Sequence, residues 1–115
     1  MQRRLRLTNR RDFQTVYRWG KSAANSQFVV YYRRNPNTER FRLGISASKK
    51  LGNAVVRNRL RRQIKEIVRL HVDQIQPQHD VIIIARKPST AQDYWQMEKS
   101  LLHVLKRAGL LAGRR

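Results

Sequence analysis

Arg57-Asn58-Arg59-Leu60-Arg61-Arg62-Gln63-Ile64-Lys65-Glu66-Ile67-Val68-Arg69 is the stretch on which the fold turns. Placed on a helical wheel with Val56 at zero, Leu60, Ile64, Ile67 and Val68 fall between roughly 20° and 120°. Arg61, Lys65, Asn58, Arg69, Arg62 and Arg59 fall between roughly 140° and 300°, with Arg57 at the border. The segment therefore reads as an amphipathic helix, about Ala54 to Val72, with an apolar stripe and a wide cationic face that one acid, Glu66, interrupts. One carboxylate does not balance so many bases, and cations on neighbouring turns repel, so an external anion is expected.

On the N-terminal side, Ser46, Ser48, Lys49, Lys50, Gly52 and Asn53 form a polar, basic approach to a helix start, where free N–H groups attract phosphate. Lys49-Lys50-Leu51-Gly52 is not a P-loop, because lysine precedes glycine. Phe41 to Ser48 alternates as a strand, Phe41, Leu43, Ile45 and Ala47 against Arg42, Gly44, Ser46 and Ser48. Asn35-Pro36-Asn37 marks a turn. Gln27 to Arg33 reads as another strand, with Phe28, Val30 and Tyr32 on one side and Val29 and Tyr31 on the other. A short strand near Lys21 to Ala23 is expected before it. A first helix spans about Asn9 to Trp19, capped by Thr8 or Asn9 and closed by Gly20, with Phe13, Val16 and Tyr17 on one face.

On the C-terminal side, Val81-Ile82-Ile83-Ile84 lacks polar alternation and predicts a central strand covered on both faces. Thr90 is the expected cap of a last helix, Ala91 to Ala108, whose apolar stripe is Tyr94, Met97, Leu101, Val104, Leu105 and Ala108, with Gly109 at C′. The order is helix, two or three strands, helix, strand, helix: a single domain of helices against a sheet, with basic ends expected to fray.

The chain has 115 residues, with 26 Lys and Arg against 7 acids and a net charge of +19. A compact fold with this charge repels itself and is relieved by a polyanion. Nineteen of the bases are Arg, whose planar fork suits phosphate and whose face stacks on bases, so nucleic acid is favoured. The chain has no cysteine, which excludes disulfides and thiolate metal sites. No apolar run approaches a membrane span, and no apolar segment follows basic Met1 to Arg6, so a cytoplasmic location is expected. His71, His79 and His103 show no metal-ligand spacing, and Asp12, Asp80 and Asp93 read as isolated residues at element ends, where capping explains them. No catalytic residue, bound metal, membrane or small-molecule substrate is expected.

Taken together these residues carry a resemblance. Gly44-Ile45-Ser46-Ala47-Ser48-Lys49-Lys50-Leu51-Gly52-Asn53-Ala54 followed by Val56-Arg57-Asn58-Arg59-Leu60-Arg61-Arg62 resembles the signature of the bacterial ribonuclease P protein subunit. Asp12-Phe13-Gln14-Thr15-Val16-Tyr17-Arg18-Trp19-Gly20 is similar to that family's first helix, and Ile82-Ile83-Ile84-Ala85-Arg86-Lys87-Pro88 to its last strand and exit. The resemblance implies an αβββαβα two-layer α/β sandwich, an α+β fold with a mixed four-stranded sheet and a left-handed βαβ crossover against the usual rule, similar to a ribosomal-protein domain fold. It implies a subunit that accompanies a catalytic RNA in removing the 5′ leader of precursor tRNA, with Mg2+ held mainly by the RNA and none tightly by the protein.

By the same resemblance the catalytic-RNA contact maps to Arg57, Asn58, Arg59, Arg61, Arg62, Lys65 and Arg69. A cleft for the single-stranded leader maps to Phe13, Tyr17, Tyr31, Ser46, Lys49, Lys50, Arg86 and Lys87. Rings that stack on bases and cations that follow phosphates suit a strand of varying sequence. From pattern alone Phe13 reads as core and Tyr17 as core or surface alike. Lys65 stands where Arg is frequent, which removes a bidentate contact. Three other readings remain: a ribosomal-type structural RNA-binding protein with no leader cleft, a DNA module laying the basic helix in a major groove, and a membrane-surface helix. The second lacks a helix-turn-helix, and the third lacks spare apolar surface.

Overall fold

The computed structural model describes residues 5–111. Asn9 starts α1 (Arg10–Trp19) by accepting a 2.8 Å hydrogen bond at its side-chain oxygen from the Arg11 N–H, and Gly20 closes it. Four strands follow the expected order: β1 (Lys21–Ala24), β2 (Phe28–Arg34), β3 (Arg42–Ser46) and, after α2 (Ala54–Leu70), β4 (His79–Ala85). The sheet order is β1-β2-β4-β3, with β3 and β4 parallel and the other pairs antiparallel. The unbroken apolar run thus lies in the middle of the sheet, flanked by β2 and β3.

Strand parity divides the core. On one face Phe28, Val30, Leu43, Val81, Ile83 and Ala85 pack with Leu60, Ile64, Ile67 and Val68 of α2 and with Met97, Leu101, Val104 and Leu105 of α3 (Tyr94–Arg107). On the other, Ile82 is buried with Leu7 and Val16, and Phe13, Tyr31 and Ile84 lean against them. Each such buried aliphatic side chain contributes about 1.5–3 kcal/mol.

Several expectations need correction. Thr90 does not cap the last helix. It lies in a 3-10 turn, Lys87–Ala91, where its hydroxyl donates to the Lys87 carbonyl at 2.8 Å. Asp93 caps instead, with a reciprocal capping box: Asp93 Oδ1 accepts from the Gln96 N–H and Gln96 Oε1 from the Asp93 N–H, satisfying two orphan donors at once. α2 ends two residues early, with a 3-10 turn, Val72–Gln74, after it. The basic N-terminal end is partly anchored, since Arg6 bridges to Leu43 and Leu7 N–H donates to the Leu43 carbonyl; residues 1–4 and 112–115 lie outside the described residues. Gly109 does terminate α3, with φ +77° and the Leu110 N–H donating back to the Leu105 carbonyl.

Asp12 and Asp80 are not caps. Both carboxylates meet Arg42: Arg42 Nε and Nη2 donate to Asp80 Oδ1 and Oδ2 at 2.8 and 2.9 Å, and Arg42 Nη1 lies 3.3 Å from Asp12 Oδ2. The pair joins α1 to β3 and β4, and Asp80 is 4% exposed.

Candidate nucleic-acid interface

Gly52 takes φ +145°, a conformation open in practice to glycine, and hands the chain to Asn53, whose side-chain oxygen accepts from the Val56 N–H at 3.0 Å. α2 then follows the expected wheel, burying Leu60, Ile64, Ile67 and Val68. Its cations do not all look the same way. Asn58, Arg61, Arg62, Lys65 and Arg69 line one groove of about 670 Å3, which Gln63, Glu66 and Tyr94 complete. Arg57 turns back, its Nε donating to the Gly52 carbonyl at 3.3 Å. Arg59 lies on the opposite flank, donating to Gln63 Oε1 and to the Thr90 carbonyl.

Most of these hydrogen bonds go to neutral oxygens, so the charge survives. Arg61 donates to Asn58 Oδ1 and the Ala47 carbonyl. Among the described residues one ion pair forms on this face: Arg69 Nε and Nη2 donate to Glu66 Oε1 and Oε2 at 3.0 and 2.7 Å. The Arg69 hydrogen bond holds the Glu66 carboxyl below its usual range, and the Glu66 hydrogen bond raises Arg69.

On the other sheet face α1 crosses the strands. Phe13 stands over Gly44 of β3. Tyr17 meets Tyr31 of β2 edge-on, ring centres 5.0 Å apart and planes at 83°, and Phe13 lies 6.3 Å from Tyr17. Burial raises the Tyr17 hydroxyl pKa, the Tyr31 hydroxyl adds to this, and a hydrogen bond with Ser46 opposes it. Phe13, Tyr17, Tyr31 and Ser46 thus form one patch. The register shows what α1 leaves open beside it: Val29, Ile84 and Ser46 are lateral neighbours, all half-buried.

Lys49 and Lys50 are exposed on a 3-10 turn just past β3, and Lys87 reaches the same turn, its Nζ donating to the Leu51 carbonyl at 3.2 Å. Arg86 departs from this group and donates to the Asn25 carbonyl in the β1–β2 turn. A concavity of about 280 Å3 lined by Arg6, Leu7, Thr8, Phe13, Leu43, Gly44, Ile45, Arg61 and Lys65 joins the two surfaces around the β3 edge. Val29, Ile84 and Tyr94 are not among the site residues expected from the sequence. Strand parity is a signal that could find the first two; Tyr94 depends on the α2–α3 approach, which no local pattern encodes.

Fold and surface define an α+β domain built to hold a polyanion, with an arginine-rich helix on one side of the sheet and an aromatic groove on the other. A family model, Ribonuclease P, matches residues 1–109. The ribonuclease P protein component of Listeria welshimeri is 49% identical over 106 residues, covering 92% of this chain and 89% of that protein. That of a Geobacillus species is 47% identical, covering 96% of each. The Staphylococcus aureus RNase P protein structure superposes with a TM-score of 0.89 at 47% identity, over 93% of this chain and 97% of that one. The Thermotoga maritima RNase P protein superposes at 0.82 with 39% identity, over 89% and 96%. The chain belongs to the ribonuclease P protein family.

Proposed function

We propose that the chain works in the ribonuclease P ribonucleoprotein by holding the catalytic RNA on α2 and the 5′ leader of precursor tRNA in the groove beside α1. The observation that carries this is the pairing of two unlike surfaces on one domain. α2 presents Asn58, Arg61, Arg62, Lys65 and Arg69 along one groove, with Arg57 and Arg59 on its flanks. Beside α1, Phe13, Tyr17, Tyr31 and Ser46 make a patch flanked by Lys49, Lys50 and Lys87, with Arg86 farther along the sheet end. Folded RNA asks for phosphate contacts on a rigid element, whereas a single strand of varying sequence asks for rings and mobile cations.

The hydrolysis belongs to the RNA in this reading, with Mg2+ held mainly there and the location cytoplasmic. Arg42 engages the Asp12 and Asp80 carboxylates. His71 Nε2 lies 3.0 Å from Glu98 Oε2, an α2–α3 strut away from the α1 groove, and no group of three or more His, Cys, Asp or Glu among the described residues is placed to hold a metal ion. No described helix is long and apolar enough to cross a membrane.

Reconstitution with the cognate RNA and a precursor tRNA at low magnesium tests the whole reading. Cleavage is expected to rise on adding the protein. Precursor binding no tighter than that of mature tRNA would remove the leader groove from the proposal, and cleavage indifferent to the protein would remove the rest.

A further inference from the structure

The groove between α2 and α3 has a feature that phosphate binding does not require. Tyr94, the first residue of α3, closes it opposite the cations of α2. Trp95 stands next to Tyr94, ring centres 5.1 Å apart and planes at 87°, and is 72% exposed. An indole this exposed, beside a phenol that lines the groove, offers a ring face on the solvent side.

We propose that this groove takes one unpaired RNA base, stacked on the ring of Tyr94 with the perpendicular Trp95 indole next to it, while Arg62 and Lys65 hold the phosphates on either side of it. The inference rests on the reading that the α2 face binds RNA and names what that face selects. The volume, about 670 Å3, falls within the range of sites that enclose a small organic ligand, about 300–1,000 Å3. In an A-form helix each base face is covered by its neighbours, so a ring platform gains nothing from paired RNA. A bulged or looped nucleotide offers a free face, and stacking on an aromatic side chain is tolerant of which base it is. The cations fit the same occupant: Arg62 and Lys65 line the groove, whereas Glu66 is occupied by Arg69 and does not repel a phosphate as a free carboxylate would. An acidic peptide would satisfy the cations and leave the two rings without a role.

The test compares a short RNA hairpin carrying one bulged adenine with the same hairpin fully paired, each titrated into the full chain. Wild type is expected to bind the bulged form roughly 5- to 100-fold more tightly. Tyr94→Leu is expected to erase that preference while keeping the affinity for the paired hairpin, which also reports that the variant is folded, and Tyr94→Phe to retain it. In a Trp19→Phe background, Trp95 emission is expected to change more with the bulged hairpin than with the paired one, a readout independent of any change at Tyr94. Equal binding of the two hairpins by wild type, a preference that survives Tyr94→Leu, or identical Trp95 responses overturns the assignment. Weak binding of both hairpins without salt dependence overturns the α2 reading itself, and this inference with it.

Discussion

The ring of Phe13 rests on the α-carbon of Gly44: a methyl group there would stand 2.4 Å from Phe13 Cζ. Glycine weakens a strand interior, having no side chain to pack, yet here the missing side chain is what lets α1 lie close to β3 and aim Tyr17 at Tyr31. Gly44→Ala should cost about 1–3 kcal/mol, the usual range for overpacking a filled site. In a Phe13→Leu background the same change should cost clearly less, because contacting residues are coupled. Urea denaturation of the four proteins gives the coupling; equal costs in both backgrounds would show that the strain is not at the ring.

A second prediction concerns Arg42 and Asp80. The Asp80 side chain is 6% exposed and receives two hydrogen bonds from Arg42, with a third from Asn35 Nδ2 at 3.1 Å. Asp80 provides the largest upward push on the Arg42 pKa, so the guanidinium is charged at every accessible pH. Arg42→Met strands a buried carboxylate and should cost about 3–5 kcal/mol. Adding Asp80→Asn should recover part of that loss, since the charge is removed along with its partner. A double variant no more stable than the single would assign the cost to lost packing of the Arg42 stem.

Both relationships bear on what a sequence can show. The α2 wheel, the buried run Val81–Ile84 and the strand parity of β2 and β3 are legible because each depends on residues a few positions apart. Thr90 and Asp93 are both good caps in isolation, and the choice between them falls to Gln96, three residues past Asp93, which closes the capping box. Asp12 and Asp80 look isolated because their partner, Arg42, is distant in sequence from both. The cationic face is visible as composition, but not the divergence of Arg57 and Arg59 to opposite flanks, which the Gly52 and Thr90 carbonyls decide. Of the residues assigned to the leader, Phe13, Tyr17, Tyr31 and Ser46 meet, whereas Arg86 is drawn to Asn25.

The third prediction reads the α2 face through salt. Every phosphate that the protein no longer neutralises should reduce the slope of log K against log salt by about 0.7–0.9. Replacing Arg61 and Arg62 by Ala should weaken RNA assembly and flatten the slope by about one to two units. Glu66→Gln should act in the opposite sense, releasing Arg69 for phosphate and steepening the slope by up to about one unit. Because Arg69 lowers the Glu66 pKa, the ion pair is fully formed above the ordinary carboxyl pKa and is lost as pH falls through the lower, folded-state value. The Glu66→Gln effect should therefore be constant across neutral pH. Unchanged slopes in both variants would count against a phosphate-facing α2.

The last prediction separates ring from hydroxyl at Tyr17. Stacking needs the π face, so Tyr17→Phe should hold precursor tRNA as wild type does, while Tyr17→Ala should weaken it roughly 5- to 100-fold with little change for mature tRNA. Burial raises the Tyr17 pKa above its ordinary value, so the phenol stays neutral and precursor affinity should not vary through this group between neutral and mildly alkaline pH. The sign for stability follows: the contribution is fully present below the ordinary tyrosine pKa of about 10 and is lost as pH rises through the higher folded value. Tyr17→Phe should consequently reduce the alkaline loss of stability while leaving leader binding intact, so the test of the ring's role falls to Tyr17→Ala. If Tyr17→Ala weakened precursor and mature tRNA equally, the ring would be holding α1 against the sheet rather than meeting the leader.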